Sequence, residues 1–162
     1  VSANSLYDRV KSGEGEFNDQ ELKGYKLFQE NCNTCHQEPL FSTYELAQNF
    51  IAIDSNLNDY GRGVISKSSD DSLLFKIPSL RNLEYSFPYM HDGRYFELNT
   101  VLNHYTSKET KLKFKKEGLK KINLSGDDKV DLIAFLLTLN DKEFVFNEKH
   151  RFPRELLIKW KE

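Results

Sequence analysis

At 162 residues the chain has the length of one domain and can bury a core without disulfide staples. Its formal charge of -2 and ordinary globular composition exclude the clustered basic face of a nucleic-acid binder. No apolar run is long enough to span a membrane, and residues 1–10 lack a signal-peptide core.

Residues 1–17 mix Gly, Ser and charges with little periodicity and read as a linker or N-terminal arm. Asn18-Asp19-Gln20-Glu21 is a helix start, with Asn18 or Asp19 as cap and Glu21 completing a capping box. Leu22, Tyr25, Leu27, Phe28 and Cys32 then recur at roughly helical spacing. Gly24 in mid-helix costs about 1 kcal/mol relative to Ala. A close helix crossing accounts for it, and so does an indifferent surface position.

That helix delivers Cys32-Asn33-Thr34-Cys35-His36, which holds both cysteines of the chain. C-x-x-C-H is the attachment signature of c-type haem. Two thiols at that spacing reach the two vinyl groups on one haem edge, and the adjacent imidazole becomes the proximal iron ligand. A structural zinc site would need four Cys or His ligands, and His91, His104 and His150 show no paired spacing. A thioredoxin-like pair would follow a strand, whereas this one ends an amphipathic helix. A chance match is the remaining reading, and the surrounding sequence favours haem. Haem c is attached outside the cytoplasmic membrane, so the motif implies a periplasmic or otherwise exported protein with Val1 as a processed terminus.

Residues 37–71 are irregular, with Phe41, Phe50, Ile51 and Ile53 as apolar anchors and Asp59-Tyr60-Gly61-Arg62-Gly63 as a turn. Such a wrapped loop suits a pocket that keeps water from a porphyrin. In Phe75-Lys76-Ile77-Pro78-Ser79-Leu80-Arg81-Asn82, Pro78 biases Ile77 away from helix and Ser79 can cap a short turn. Arg81 is either a haem-propionate partner, a role its fork suits, or an ordinary surface arginine. Phe87-Pro88-Tyr89-Met90-His91-Asp92-Gly93-Arg94 gathers aromatics, the single Met, a His and a Gly turn into one loop. A helix follows with Leu98, Val101, Leu102 and Tyr105 on one face, which turns Tyr105 inward and leaves His104 off that face.

Residues 107–122 form a charged linker, where Lys111, Lys113, Lys115, Lys116, Lys120 and Lys121 make a basic run. This is a solvated face or, less commonly, a docking patch for an acidic electron-transfer partner. Ser125 with Asp128 opens a last helix whose expected buried face is Val130, Ile133, Ala134 and Leu137. The tail from residue 146 to 162 carries Phe146, Phe152, Pro153 and Trp160.

The order of these pieces resembles the C-terminal haem domain of bacterial dihaem cytochrome c peroxidases and their relative MauG. The resemblance rests on Gly24 to Phe28, Cys32 to His36, Asp59-x-Gly61-Arg62, F-K-x-P-S-L-R-N, P-Y-M-H-D-G-R, and Leu132 to Leu139 with Asp141. It implies a mainly α fold, a cytochrome c-like domain over residues 18–145 with helices and long loops wrapped around one covalent haem. In the family this domain accepts electrons from a small donor protein and passes them to a peroxide-reducing haem in an N-terminal domain of the same precursor. The chain has a single C-x-x-C-H, so it reads as half of such an enzyme or as a free-standing monohaem electron carrier.

Residue chemistry alone makes Met90 the sixth iron ligand. The resemblance instead implies the position of Tyr105, filled by Met in the peroxidases and Tyr in MauG. Tyr105 is favoured, Met90 is second and His91 third. A phenolate ligand lowers the reduction potential and favours ferric iron. The family also places calcium between its two domains, and its carbonyl ligands match Ser86 and Pro88.

Overall fold

The computed structural model describes residues 2–107 and 122–151. The basic run from Lys111 to Lys121 and the tail aromatics Phe152 and Trp160 lie outside the described residues. Six helices are described: α1 (Leu6–Ser12), α2 (Asp19–Asn31), α3 (Arg62–Ser66), α4 (Leu98–Thr106), α5 (Gly126–Leu137) and α6 (Lys142–Val145). Two short strands, β1 (Leu46–Ala47) and β2 (Phe75–Lys76), pair antiparallel with Leu46 opposite Lys76. The mainly helical expectation is met.

The capping signals act as read. Asn18 accepts from the Glu21 N–H while the Glu21 carboxylate accepts from the Asn18 N–H, each at 2.9 Å. Ser125 and Asp128 make the same reciprocal box at the start of α5.

Helices α2 and α5 cross at Gly24, and this contact organises the core. A Cβ on Gly24 would lie 2.0 Å from the Asp131 carbonyl oxygen and 2.8 Å from the Phe135 Cβ. Glycine is therefore required by close approach, and of the two readings of Gly24 the helix crossing is the correct one. Phe28 of α2 and Leu132, Phe135 and Leu139 from α5 and its C-terminal turn are fully buried around it, with Phe41 from the loop after the cysteine motif.

The buried face of α5 differs from expectation. Leu132, Phe135 and Leu136 face inward, while Val130 and Leu137 are exposed. Nearly every position from Val130 to Leu137 is apolar, so periodicity could not choose the stripe; the crossing with α2 chose it.

Residues 6–12, expected within a linker, form α1, capped by a Ser5–Asp8 box. Its Tyr7 is buried, edge-on to Phe41 at 4.7 Å and to Phe135 at 6.4 Å. Seven residues with one buried aromatic are too short to show periodicity, and tertiary packing makes the helix. The Tyr7 and Tyr25 hydroxyls donate to Glu38 Oε2 at 2.6 and 3.1 Å, tying α1 and α2 to the turn after His36.

Asp141 is a second tie. Its buried carboxylate accepts from the N–H groups of Ala3, Asn4 and Phe144 at 2.9–3.0 Å. Burial alone would raise its pKa, but these backbone donors hold it below the usual carboxylate range. Asp8 is lowered in the same way: burial opposes ionisation, and hydrogen bonds from Arg81 and Ser5 overcome it.

Two expectations follow. Gly24→Ala should destabilise the fold by about 3 kcal/mol or prevent folding, read by urea denaturation, because the clash is with backbone. The carboxylates of Asp8 and Asp141 are depressed in the folded state, so their stabilisation is complete above the unfolded value near about pH 4. It is lost as pH falls through the folded values. Replacing either by Asn should flatten the acid limb of the stability–pH profile.

Candidate functional site

Helix α2 ends at Cys32, whose N–H still donates to the Phe28 carbonyl at 2.8 Å. The chain then turns once more, with the Cys35 and His36 N–H groups donating to the Cys32 carbonyl at 3.1 and 2.9 Å. Both cysteines are free thiols and half-buried. Burial pushes the Cys32 thiol up to about 12, with the neighbouring Cys35 adding to it. Burial also pushes Cys35 up to about 11, and the nearby Glu45 contributes. Both are therefore neutral thiols at physiological pH.

The His36 ring is held by two main-chain carbonyls. Its Nδ1 lies 3.2 Å from the Phe41 oxygen and 3.1 Å from the Pro78 oxygen. Carbonyls only accept, so Nδ1 carries the proton and Nε2 presents its lone pair. Burial lowers the His36 pKa, and the two carbonyl bonds offset part of that. The imidazole is thus neutral, oriented and ready to ligate through Nε2. Phe41 is fully buried, and Pro78 belongs to the F-K-x-P-S-L-R-N stretch, so core and loop both clamp the ring.

Tyr105, on the inner face of α4, senses both thiols. Burial raises its phenol to about 12, Cys35 and Cys32 add to the rise, and a hydrogen bond from the Asn49 side chain opposes it. Met90 sits in a left-handed turn with φ 73°, and its sulfur accepts from Asn49 Nδ2 at 3.5 Å. His91 stacks on Phe75 with ring centres 3.8 Å apart. Its buried Nδ1 has no partner, and it borders a cavity of about 10 Å³ lined by Asn49, Asp59 and Phe75.

Asp92 and Arg94 form an ion pair within the P-Y-M-H-D-G-R loop. Arg94 Nη2 also donates to the Ala52 carbonyl at 2.7 Å, joining that loop to the segment after Asn49.

Arg81 meets a carboxylate of this chain. Its Nη1 and Nη2 donate to the two Asp8 carboxylate oxygens at 2.9 and 2.8 Å, and Nε donates to the Pro39 carbonyl at 2.9 Å. Asp8 fills the fork because residues 6–12 are a packed helix rather than an arm. Ser86 and Pro88 are exposed at the loop surface. Among the described residues, no group of three or more His, Cys, Asp or Glu side chains could hold a metal ion. Asn49, whose amide meets the Met90 sulfur and whose carbonyl accepts from His104, is not marked by the sequence; Gln48-Asn49-Phe50 carries no motif that would flag it.

The donor set fits a covalent c-type haem: two neighbouring thiols, an oriented imidazole with its Nε2 lone pair available, and a phenol beside them. Comparison with known proteins agrees. The cytochrome c family model matches residues 21–140. The chain belongs to the cytochrome c family.

Within it, the relatives are the MauG proteins and dihaem cytochrome c peroxidases, and the chain is a member of that group. It is 33% identical over 147 residues to the methylamine utilization protein MauG of Methylophilus methylotrophus, covering 86% of this chain and 43% of that one. It is 30% identical over 143 residues to the cytochrome c551 peroxidase of Nitrosomonas europaea, covering 86% and 40%. The crystal structure of a MauG-like protein associated with microbial copper homeostasis superposes with TM-score 0.76 at 25% identity, covering 94% of this chain and 53% of that one. The chain thus spans about two fifths of these curated relatives. Membership of this group supports a role in haem electron transfer.

Before haem attachment, iodoacetamide at pH 8 should modify the folded chain far more slowly than the denatured chain, because both raised thiols remain protonated. Cys35, raised less, should react ahead of Cys32, as peptide mapping would read.

Proposed function

We propose that this chain is the electron-accepting haem domain of a MauG-like or dihaem cytochrome c peroxidase, corresponding to the C-terminal domain of the family. It relays electrons to a peroxide-reducing haem carried by another domain of the same precursor. The observation that carries this reading is the clamped His36 ring beside one pair of thiols, in a chain that matches about two fifths of its dihaem relatives.

Cys32 and Cys35 would hold the haem through thioethers to its vinyl groups, and His36 Nε2 would ligate the iron. When bound, haem supplies a one-electron iron couple. The carbonyls of Phe41 and Pro78 accept from His36 Nδ1, which fixes the ring and raises its basicity as a ligand. Tyr105 is the favoured sixth ligand, ahead of Met90 and His91; its phenol must surrender a proton that burial otherwise holds on the oxygen. Phe41, Phe28 and Leu102 are buried beside this region and exclude water.

The same reading makes the protein exported, served by a small donor protein, with calcium held at the domain boundary by the carbonyls of Ser86 and Pro88. No helix among the described residues is long and apolar enough to cross a membrane.

Matured protein should keep its colour through acid–acetone extraction, since thioethers survive it; haem lost to the solvent would refute attachment. Tyr105→Phe should change the ferric spectrum more than Met90→Leu does, and the reverse ranking would transfer ligation to the sulfur. Peroxide turnover by the isolated chain should be slight, because a six-coordinate iron has no open position for peroxide. Rapid turnover in a stopped-flow assay would contradict that ligation.

A further inference from the structure

Asn49 lies beside the two leading distal candidates and is fixed at two of its atoms before its amide nitrogen meets Met90. Its main-chain carbonyl accepts from His104 Nε2 at 2.8 Å, which ties it to α4 one residue before Tyr105. Its Oδ1 accepts from the Ile51 N–H at 3.2 Å, and Ile51 is buried. An amide oxygen committed to that N–H leaves Nδ2 as the donor side. Nδ2 then directs a hydrogen at the Met90 sulfur 3.5 Å away.

Met90 has little freedom of its own. Its backbone is held at φ 73°, its carbonyl accepts from the Gly93 N–H at 3.4 Å, and the flanking Tyr89 and Tyr95 are bridged. A non-glycine residue in that region persists only where its surroundings hold it. The Asn49 amide is the hydrogen-bond donor that meets this sulfur.

We propose that Asn49 is the positioning residue of the distal side, anchored to α4 next to Tyr105 and detaining the Met90 sulfur with its amide, so that phenol prevails over thioether. The inference rests on the haem reading above and adds to it the device that selects the sixth ligand. Asn49 itself touches no reacting atom; it acts by withholding Met90.

Asn49→Leu keeps the size of the side chain and removes both donors. In matured protein this variant should gain the long-wavelength sulfur-to-iron charge-transfer band of methionine-ligated ferric haem, and its midpoint potential should rise. The double variant Asn49→Leu/Met90→Leu should lose the band. An unchanged spectrum and potential in Asn49→Leu would overturn the proposal. So would a change that persists unaltered in the double variant, since the sulfur would then play no part. A haem-independent measurement covers variants that fail to mature. Met90 is the only methionine, so a 13C-methyl-methionine label on the haem-free chain gives one signal. Asn49→Leu should shift that signal toward its unfolded position while the core methyl signals stay in place. An unmoved methionine signal would overturn the proposal. Wild-type protein that takes up no covalent haem refutes the functional reading instead, and the methyl signal still decides whether Asn49 holds Met90.

Discussion

The contact of Gly24 with the Asp131 carbonyl sets the geometry on which the other parts rest. Because α2 lies directly on the α5 backbone, Phe28 and Phe135 meet with ring centres 5.2 Å apart, and the end of α2 is fixed relative to the core. The cysteine motif begins at that end. A side chain at residue 24 would lift α2 away from α5, and the thiols and imidazole would move with it. Glycine's cost to an isolated helix is small beside the packing it permits.

From this crossing two sets of contacts lead toward the cysteine motif. One runs from the C-terminal turn of α5, where the Asn82 N–H donates to the Leu139 carbonyl at 3.2 Å, back through Arg81 to Asp8 and Pro39. The other runs through Phe41, whose ring packs in the core while its carbonyl accepts from His36. The His36 ring is therefore oriented by one group of the core and one of the loop, which suits its proposed role as an iron ligand whose geometry should stay constant across redox states. Around Asn49 the contacts are softer: an amide and a sulfur borne on loops, near a phenol on the last turn of α4. A fold can vary such contacts without disturbing its core.

The neutral state of the thiols and imidazole also has a consequence for assembly. Burying charged groups here would be costly, and the haem-free fold avoids that by keeping Cys32 and Cys35 protonated and His36 neutral. Attachment then draws on nucleophiles that the folded chain suppresses, so thiol chemistry is easier before the core closes.

Much of this protein is legible in its residues. C-x-x-C-H names the cofactor because thioether and iron chemistry demand that spacing, and the capping boxes at Asn18 and Ser125 mark their helices because backbone N–H groups need local partners. The inward turn of Tyr105 follows from helical periodicity. Three-dimensional packing decided what local signals could not carry. Helix α1 exists because Tyr7 finds Phe41 and Phe135 across the chain, and Arg81 belongs to Asp8 because that helix brings a carboxylate to it. The buried stripe of α5 was undecidable in a run where almost every residue is apolar. Asn49 gained its place only when residues 41 to 56 positions away in the chain, Met90, His104 and Tyr105, were brought to its side. Sequence reports chemistry that is local along the chain, whereas contacts between distant segments depend on which surfaces the core leaves facing one another.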